Sequence, residues 1–337
     1  MAGTAFIVGA SGQIGQAVCG ALLADGWRVI AAQRHGEGFP TTLRSLGATT
    51  IALDRDQDGA LARAVLGGVD ALIDTVAYDD AHARQLLDIQ GDVGAFVVVS
   101  SASVYRDAEG RTLDEAATNG FPDLPVPIGE DQPTVAPGPE TYSTRKAALE
   151  QVLLQNARPP VTVLRPGAIY GAGSRHPREW WFVKRILDGR RAVPLAWGGK
   201  SRFHASATAN IAELVRVALA APGTRVLNAA DPEALTVTAV GEVIAAIYAY
   251  EWKLVSFEGA PVGAVGQNPW GVPRPIVLDM ARAEALGYRP VTRYQDAIGE
   301  ACASAVAAAR AGVTFPPYLT AMFDYAAEDA FLARGAG

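Results

Sequence analysis

Through the first half of the chain, short and nearly unbroken apolar runs alternate with stretches whose apolar residues recur every three or four positions. The runs Ala5–Val8, Arg28–Ala32, Thr49–Leu53, Ala71–Asp74, Phe96–Ser100 and Val161–Leu164 predict strands. Between them, Gln13–Ala24, Gln57–Leu66, Ala81–Ile89 and Thr141–Gln155 carry the helical period. Strands this apolar have no face to give to water, so they belong in a parallel sheet covered by helices on both sides. Right-handed crossovers then give an α/β fold, a doubly wound parallel Rossmann sheet, with its ligand beyond the carboxyl ends of the strands.

Two segments break the rhythm. Residues 106–140 hold six prolines (Pro122, Pro125, Pro127, Pro133, Pro137, Pro139) between a strand and a helix. A loop of that length in a compact domain is usually functional or disordered, and it is expected to overhang the strand ends as a substrate-side lid. From about Gly171 the pattern mixes helices (Ile211–Ala220, Val237–Ile247, Tyr294–Ala309) with short strands and proline-rich turns. The division that follows is a dinucleotide-binding domain over residues 1–170 and a smaller α/β substrate-binding lobe over 171–337, partly interleaved with the first.

With 50% hydrophobic and 19% charged residues, the chain can bury a substantial core. A net charge of -6 argues against a nucleic-acid partner, which favours a basic surface. The two cysteines, Cys19 and Cys302, have no metal or redox spacing and suit a reducing, cytoplasmic setting. The N-terminus enters a strand at once, without the basic and apolar regions of a leader, and no long apolar span predicts a membrane segment. His35, His82, His176 and His204 are scattered, so no metal site is expected.

Candidate chemistry begins at Gly9-Ala10-Ser11-Gly12-Gln13-Ile14-Gly15, which follows the first strand and opens the first helix. Glycines there permit a tight turn and a close approach of backbone to pyrophosphate, and the helix N-terminus holds the phosphate charge. The second strand ends in Gln33-Arg34, with no carboxylate to accept from the ribose hydroxyls of NAD. Arg34 offers a guanidinium that could grip a 2′-phosphate, so NADP(H) is favoured over NAD; a solvated loop charge is the plainer alternative. Tyr142 and Lys146 stand four residues apart on one helical face. An ammonium near a phenol stabilises the phenolate, and the pairing would bring Tyr142 toward a range where it gives and takes protons.

These features in this order resemble the extended short-chain dehydrogenase/reductase superfamily, the NAD-dependent epimerase/dehydratase family. The resemblance covers roughly residues 4–250 and is most specific in the first 170. It implies that Ser101, in Phe96-Val97-Val98-Val99-Ser100-Ser101, joins Tyr142 and Lys146 as the catalytic set, and that Lys146 also holds the nicotinamide ribose. Asp54 would approach the adenine amino group, although an aspartate just past a strand could equally cap a helix. The segment Leu164-Arg165-Pro166 through Tyr170-Gly171 is similar to one that runs beside the nicotinamide, with Pro166 keeping it extended. Arg202-Phe203-His204 followed by Asn210-Ile211-Ala212 resembles the family's arginine strand and helix start, with Asn210 able to cap where aspartate is usual.

Departures from the family pattern limit the analogy. The Asp-Glu pair that serves dehydratases is replaced by Ala102 and Ser103, so dehydration by that route is not expected. The fourth strand ends Asp74-Thr75-Val76-Ala77-Tyr78 where small residues are usual, and Arg106 replaces a glycine. In Ser174–Arg185, Arg178 and Trp181 are candidates for binding a phosphate and stacking a ring, and Ser103 and Arg202 are further substrate candidates. A basic helix with its tryptophans in the core is the alternative. The expected function is a carbonyl or carbinol oxidoreductase, or an oxidation–reduction epimerase, acting on a sugar-like or nucleotide-sugar-like small molecule, as a homodimer. A ketoreductase of a non-sugar molecule and a non-catalytic NAD(P)-binding sensor or scaffold are the competing readings.

Overall fold

The structure is a computed structural model that describes residues 3–34 and 41–334; His35 lies outside them. Its strands, in chain order, are β1 Thr4–Val8, β2 Arg28–Gln33, β3 Thr49–Ala52, β4 Ala71–Asp74, β5 Phe96–Val99, β6 Val161–Pro166, β7 Ala168–Tyr170, β8 Ala192–Leu195, β9 Ala205–Ala207, β10 Arg225–Ala229 and β11 Lys253–Ser256. Seven of them form one sheet in the order β10-β6-β5-β4-β1-β2-β3, and every pairing in it is parallel. The strand order reverses between β1 and β4, and a crevice opens at the carboxyl ends of such a pair.

The chain divides into two compact units. The first comprises Met1–Gly167, Thr208–Ala230 and Leu278–Val291, and the second Ala168–Ala207, Asp231–Val277 and Thr292–Gly337. In the first, Phe6, Leu72, Val98 and Val163 of the sheet pack with Leu86, Leu149 and Leu153 of the helices Asp80–Asp88 and Tyr142–Asn156. Burying each such side chain contributes roughly 1.5–3 kcal/mol. The helices Gln13–Ala24 and Thr208–Ala220 pack on one another.

Where element bounds differ from the periodicity, local chemistry explains the change. The helix expected from Gln57 starts at Ala60, because Gly59 takes φ +64°, outside the helical range. Thr141 stands outside its helix as the cap: its hydroxyl accepts from the Thr144 amide at 3.2 Å, and the Thr144 hydroxyl accepts from the Thr141 amide at 2.9 Å. Asn210 stands inside its helix and not at the cap position. The helix already begins at Thr208, and the Asn210 side-chain oxygen accepts from the Val291 amide at 2.9 Å.

The seventh strand, β10, lies outside the sequence expectation because its short run is broken by Asn228. That side chain is wholly buried. It accepts from the Tyr105 hydroxyl at 2.6 Å and donates to the carbonyls of Ile128 and Asp279 at 2.9 and 3.1 Å. Residues 106–140 are organised around Asp107, whose carboxylate accepts from the amides of Glu109, Arg111 and Asp123 and from the Arg111 guanidinium. Burial opposes ionisation there, but these donors prevail and hold Asp107 down at about 2.

The second unit pairs β7 with β9 and β8 with β11. Its core includes Trp181, Phe182, Val193, Leu195, Ile244, Trp270 and Ile298. Trp181 therefore corrects the expectation of a ligand-facing residue: it has no exposed surface, and the Arg185 guanidinium lies 3.6 Å from its ring centroid. Arg185 is itself fully buried and pairs with Glu328 in the C-terminal helix Tyr325–Arg334. Among the described residues no helix is long and apolar enough to cross a membrane.

Candidate active site

The turn after β1 shows why its glycines stand where they do. Gly9 takes φ +82°, and a Cβ there would lie 2.5 Å from the Thr75 hydroxyl. A Cβ on Gly15 would lie 2.3 Å from the Gly9 carbonyl oxygen, so the helix Gln13–Ala24 can sit directly on the turn. Gly12 is exposed and occupies the N-cap, with no side-chain cap and no acidic residue in the first turn. The Gly12 amide itself donates to the Gly9 carbonyl at 3.0 Å, but the first-turn amides of the helix and the positive end of its dipole are left at an N-terminus without a side-chain cap, which fits a pyrophosphate. Ser11 and Gln13 are half-buried, Ile14 is buried, and the buried Gln13 side-chain oxygen has no partner among the described residues.

Arg34 is exposed just past β2. Asp54, just past β3, accepts from the Asp56 amide at 3.2 Å and makes a local turn; the next helix starts only at Ala60, so Asp54 does not cap it. Next to it lies a pair that sequence reasoning did not find. Arg55 donates to the Asp74 carboxylate at 2.6 Å, and Asp74 also accepts from the amides of Val76 and Ala77 at 3.0 and 2.7 Å. Asp74 is completely buried at the end of β4. An aspartate inside an otherwise apolar strand was the available signal, but its partner is 19 residues away.

Ser101 and Tyr142 meet across the carboxyl end of the sheet. Ser101 follows β5 in extended conformation and accepts from the Ser103 amide at 3.1 Å. Tyr142 is the first residue of its helix, with 40% of its surface exposed. Burial around its hydroxyl raises the phenol above its ordinary value, a hydrogen bond with Ser101 pulls the other way, and Tyr78 and Asp114 add to the rise. Lys146 is 5% exposed, and its ammonium donates to the carbonyls of Ala77 and Val99 at 2.6 and 2.9 Å. It lies 5.7 Å from the centroid of the Tyr142 ring. Burial lowers it to about 8, while Asp74 and Glu150 oppose the fall. The expected lowering of Tyr142 by Lys146 is thus not what the structure shows: burial raises the phenol, the opposing pull comes from Ser101, and the Lys146 ammonium is aimed at backbone carbonyls.

The other expected site residues separate by unit. Ser103 lies beside Ser101 and accepts from the Ser143 hydroxyl at 2.9 Å, while Asp114, from the 106–140 loop, accepts from the Ser143 amide at 2.8 Å. Pro166 closes β6, buried and paired with Ala229. Arg178 and Arg202 belong to the second unit, both half-buried. The Arg178 guanidinium lies 3.4 Å from the Ile169 carbonyl oxygen, and the Arg202 carbonyl accepts from the Ile276 amide at 2.9 Å. Among the described residues no group of three or more His, Cys, Asp or Glu could hold a metal ion.

Comparison with known proteins places the family and the fold. Residues 5–230 match the NAD dependent epimerase/dehydratase family. A 3-diazoavenalumate denitrifying reductase of a Streptomyces species is 28% identical over 213 residues, covering 58% of this chain and 66% of its own. A 4-hydroxy-2-methyl-3-oxo-4-farnesyl-3,4-dihydroquinoline-1-oxide ketoreductase of Stigmatella aurantiaca is 28% identical over 237 residues, covering 67% of each chain. The chain thus spans about two thirds of the length of these relatives. Among solved structures, a UDP-glucose 4-epimerase of Thermotoga maritima superposes with TM-score 0.67 at 16% identity, over 91% of this chain and 99% of that one.

Proposed function

The chain belongs to the NAD dependent epimerase/dehydratase family, and on that premise we propose that it is an NADP(H)-dependent oxidoreductase that reduces the carbonyl group of a small molecule. The observation that carries the proposal is the convergence of Tyr142, whose phenol Ser101 pulls down against the rise caused by burial, with Lys146 pinned behind the Tyr142 ring. When bound, the nicotinamide supplies the hydride. As the carbonyl carbon receives it, the Tyr142 hydroxyl gives its proton to the carbonyl oxygen, and the Ser101 hydroxyl donates a hydrogen bond to that oxygen. A phenol held above its ordinary value is protonated at neutral pH, as a proton donor must be. Lys146, fixed by the carbonyls of Ala77 and Val99, supplies a positive charge behind the ring of the phenolate left behind.

The uncapped N-terminus at Gly12 would hold the pyrophosphate, with Ser11, Gln13 and Ile14 lining the turn between Gly9 and Gly15. Arg34 would bind the 2′-phosphate, Asp54 the adenine amino group, Lys146 the ribose, and the Pro166 segment would flank the nicotinamide. We assign substrate recognition to the second unit, with Arg178 and Arg202 as its candidate contacts for an anionic group and Ser103 as a candidate in the first. Reduction is favoured because both relatives at 28% identity are named as reductases. A nucleotide-sugar substrate and redox epimerisation form the second reading, supported by the family description and by the epimerase whose fold this chain shares. A non-catalytic sensor would have no need of Ser101, Tyr142 and Lys146 together. A homodimer through the mutually packed helices Asp80–Asp88 and Tyr142–Asn156 completes the proposal, and light scattering tests it.

The deciding experiment is calorimetric titration with NADPH and NADH, followed by a carbonyl panel assayed with the preferred cofactor. Tyr142→Phe should bind cofactor as wild type does and lose at least 100-fold in turnover. Wild-type turnover in that variant would refute the proposal. Tightly held NAD in the purified protein would move the reading to epimerisation.

A further inference from the structure

Tyr78 stands one residue beyond the carbonyl that holds Lys146. Its backbone is fixed, since its amide donates to the His82 imidazole at 2.9 Å, and His82 sits in the first turn of a helix capped by Asp79. Its ring lies against Tyr142, with centroids 5.8 Å apart and planes inclined at 50°. The Arg145 guanidinium lies 5.5 Å from the Tyr78 centroid and restrains the ring from a second direction. The aliphatic and phenylalanine core of the first unit does not include Tyr78, so its ring packs on the residues of the catalytic helix instead.

Tyr78 is half-buried and Tyr142 is 40% exposed, so two phenol rings bound the surface from which the proton-donating hydroxyl must be reached. The two hydroxyls also share a neighbourhood, since Tyr78 helps to raise Tyr142. Tilted aromatic rings favour a third flat ring by edge-to-face and offset contacts, whereas a saturated ring gains only area.

We infer that Tyr78 is a specificity-determining residue, forming with Tyr142 an aromatic corner that selects carbonyl compounds whose reacting carbon is attached to a planar ring. The inference rests on the reading of Tyr142 as proton donor. An aromatic contact of this kind is worth up to about tenfold in preference.

The test compares an aryl methyl ketone with its cyclohexyl counterpart, using the full chain and NADPH. Dissociation constants of both probes are measured with NADP+ present, so that a preference is read even where turnover is slow. Wild type should favour the aryl probe, Tyr78→Leu should cut the aryl-to-cyclohexyl ratio about tenfold, and Tyr78→Phe should preserve it. Equal handling of the two probes by wild type, including binding of neither, would overturn the inference. So would a Tyr78→Leu variant that loses both probes equally, since that reports only a structural role. Tyr142→Phe separates the two claims: retained turnover there sinks the proton-donor reading while the ring preference in binding stands.

Discussion

The ammonium of Lys146 donates to the carbonyl oxygen of Ala77 at 2.6 Å. A second bond, to Val99 at 2.9 Å, ties the same charge to the end of β5. The lysine is therefore a fixed charge between the end of β5 and the turn that follows β4, and not a mobile surface group. Because burial brings it to about 8, its proton is lost as pH rises through that value. We expect kcat/KM to fall on the alkaline side with a midpoint near 8, and Lys146→Met to lower turnover at least 100-fold at pH 7. A profile that stays level from pH 7 to 10 would exclude Lys146 as the source of the charge.

Arg34 is exposed past the end of β2, where a guanidinium can meet a 2′-phosphate without displacing any packing. A hydrogen bond to a charged group contributes about 1.5–3 kcal/mol. Arg34→Ala should weaken NADPH binding by roughly 10- to 100-fold and leave NADH unchanged, as read by calorimetry. Equal weakening of both would place Arg34 outside the phosphate site.

The Arg165 guanidinium donates to Glu150 at 3.0 Å, joining β6 to the catalytic helix in a buried pair, and it lies 4.8 Å from the Tyr105 ring centroid. Removing one partner strands the other charge, which costs about 3–5 kcal/mol, whereas replacing both by apolar groups is often neutral. Urea unfolding of Glu150→Ala and of Glu150→Leu with Arg165→Met should therefore show a large loss in the first and most of it restored in the second.

Glu179 is 2% exposed, and burial raises its carboxyl to about 7 while its own backbone and Arg178 oppose the rise. From about pH 4.3, where an unfolded glutamate releases its proton, up to about 7, the folded chain holds a proton that the unfolded chain has lost. Its contribution is therefore present at low pH and disappears as pH rises through 7. Glu179→Gln has no proton to lose, so its stability relative to wild type should improve by up to about 3 kcal/mol between pH 5 and pH 8. Unfolding curves at the two pH values measure it, and a constant difference would show that the carboxyl does not titrate there.

What could be read from the sequence is what local backbone geometry governs. The alternation of apolar runs with helical periods specified six strands of a parallel sheet, and the turn from Gly9 to Gly15 announced itself because only glycine tolerates its φ and its close approaches. Tyr142 and Lys146 were found together because a helix places positions four apart on one face. Burial and long-range partners were decided by the tertiary structure alone. Trp181 looked like a ligand-stacking residue until its neighbours enclosed it, and the seventh strand went unread because its Asn228 is accommodated only by distant partners such as Tyr105, 123 residues earlier, which donates to it. The same holds for Arg55 with Asp74 and for Tyr78 with Tyr142. The energy of each depends on desolvation and on atoms brought from distant segments, and a local pattern carries no record of either.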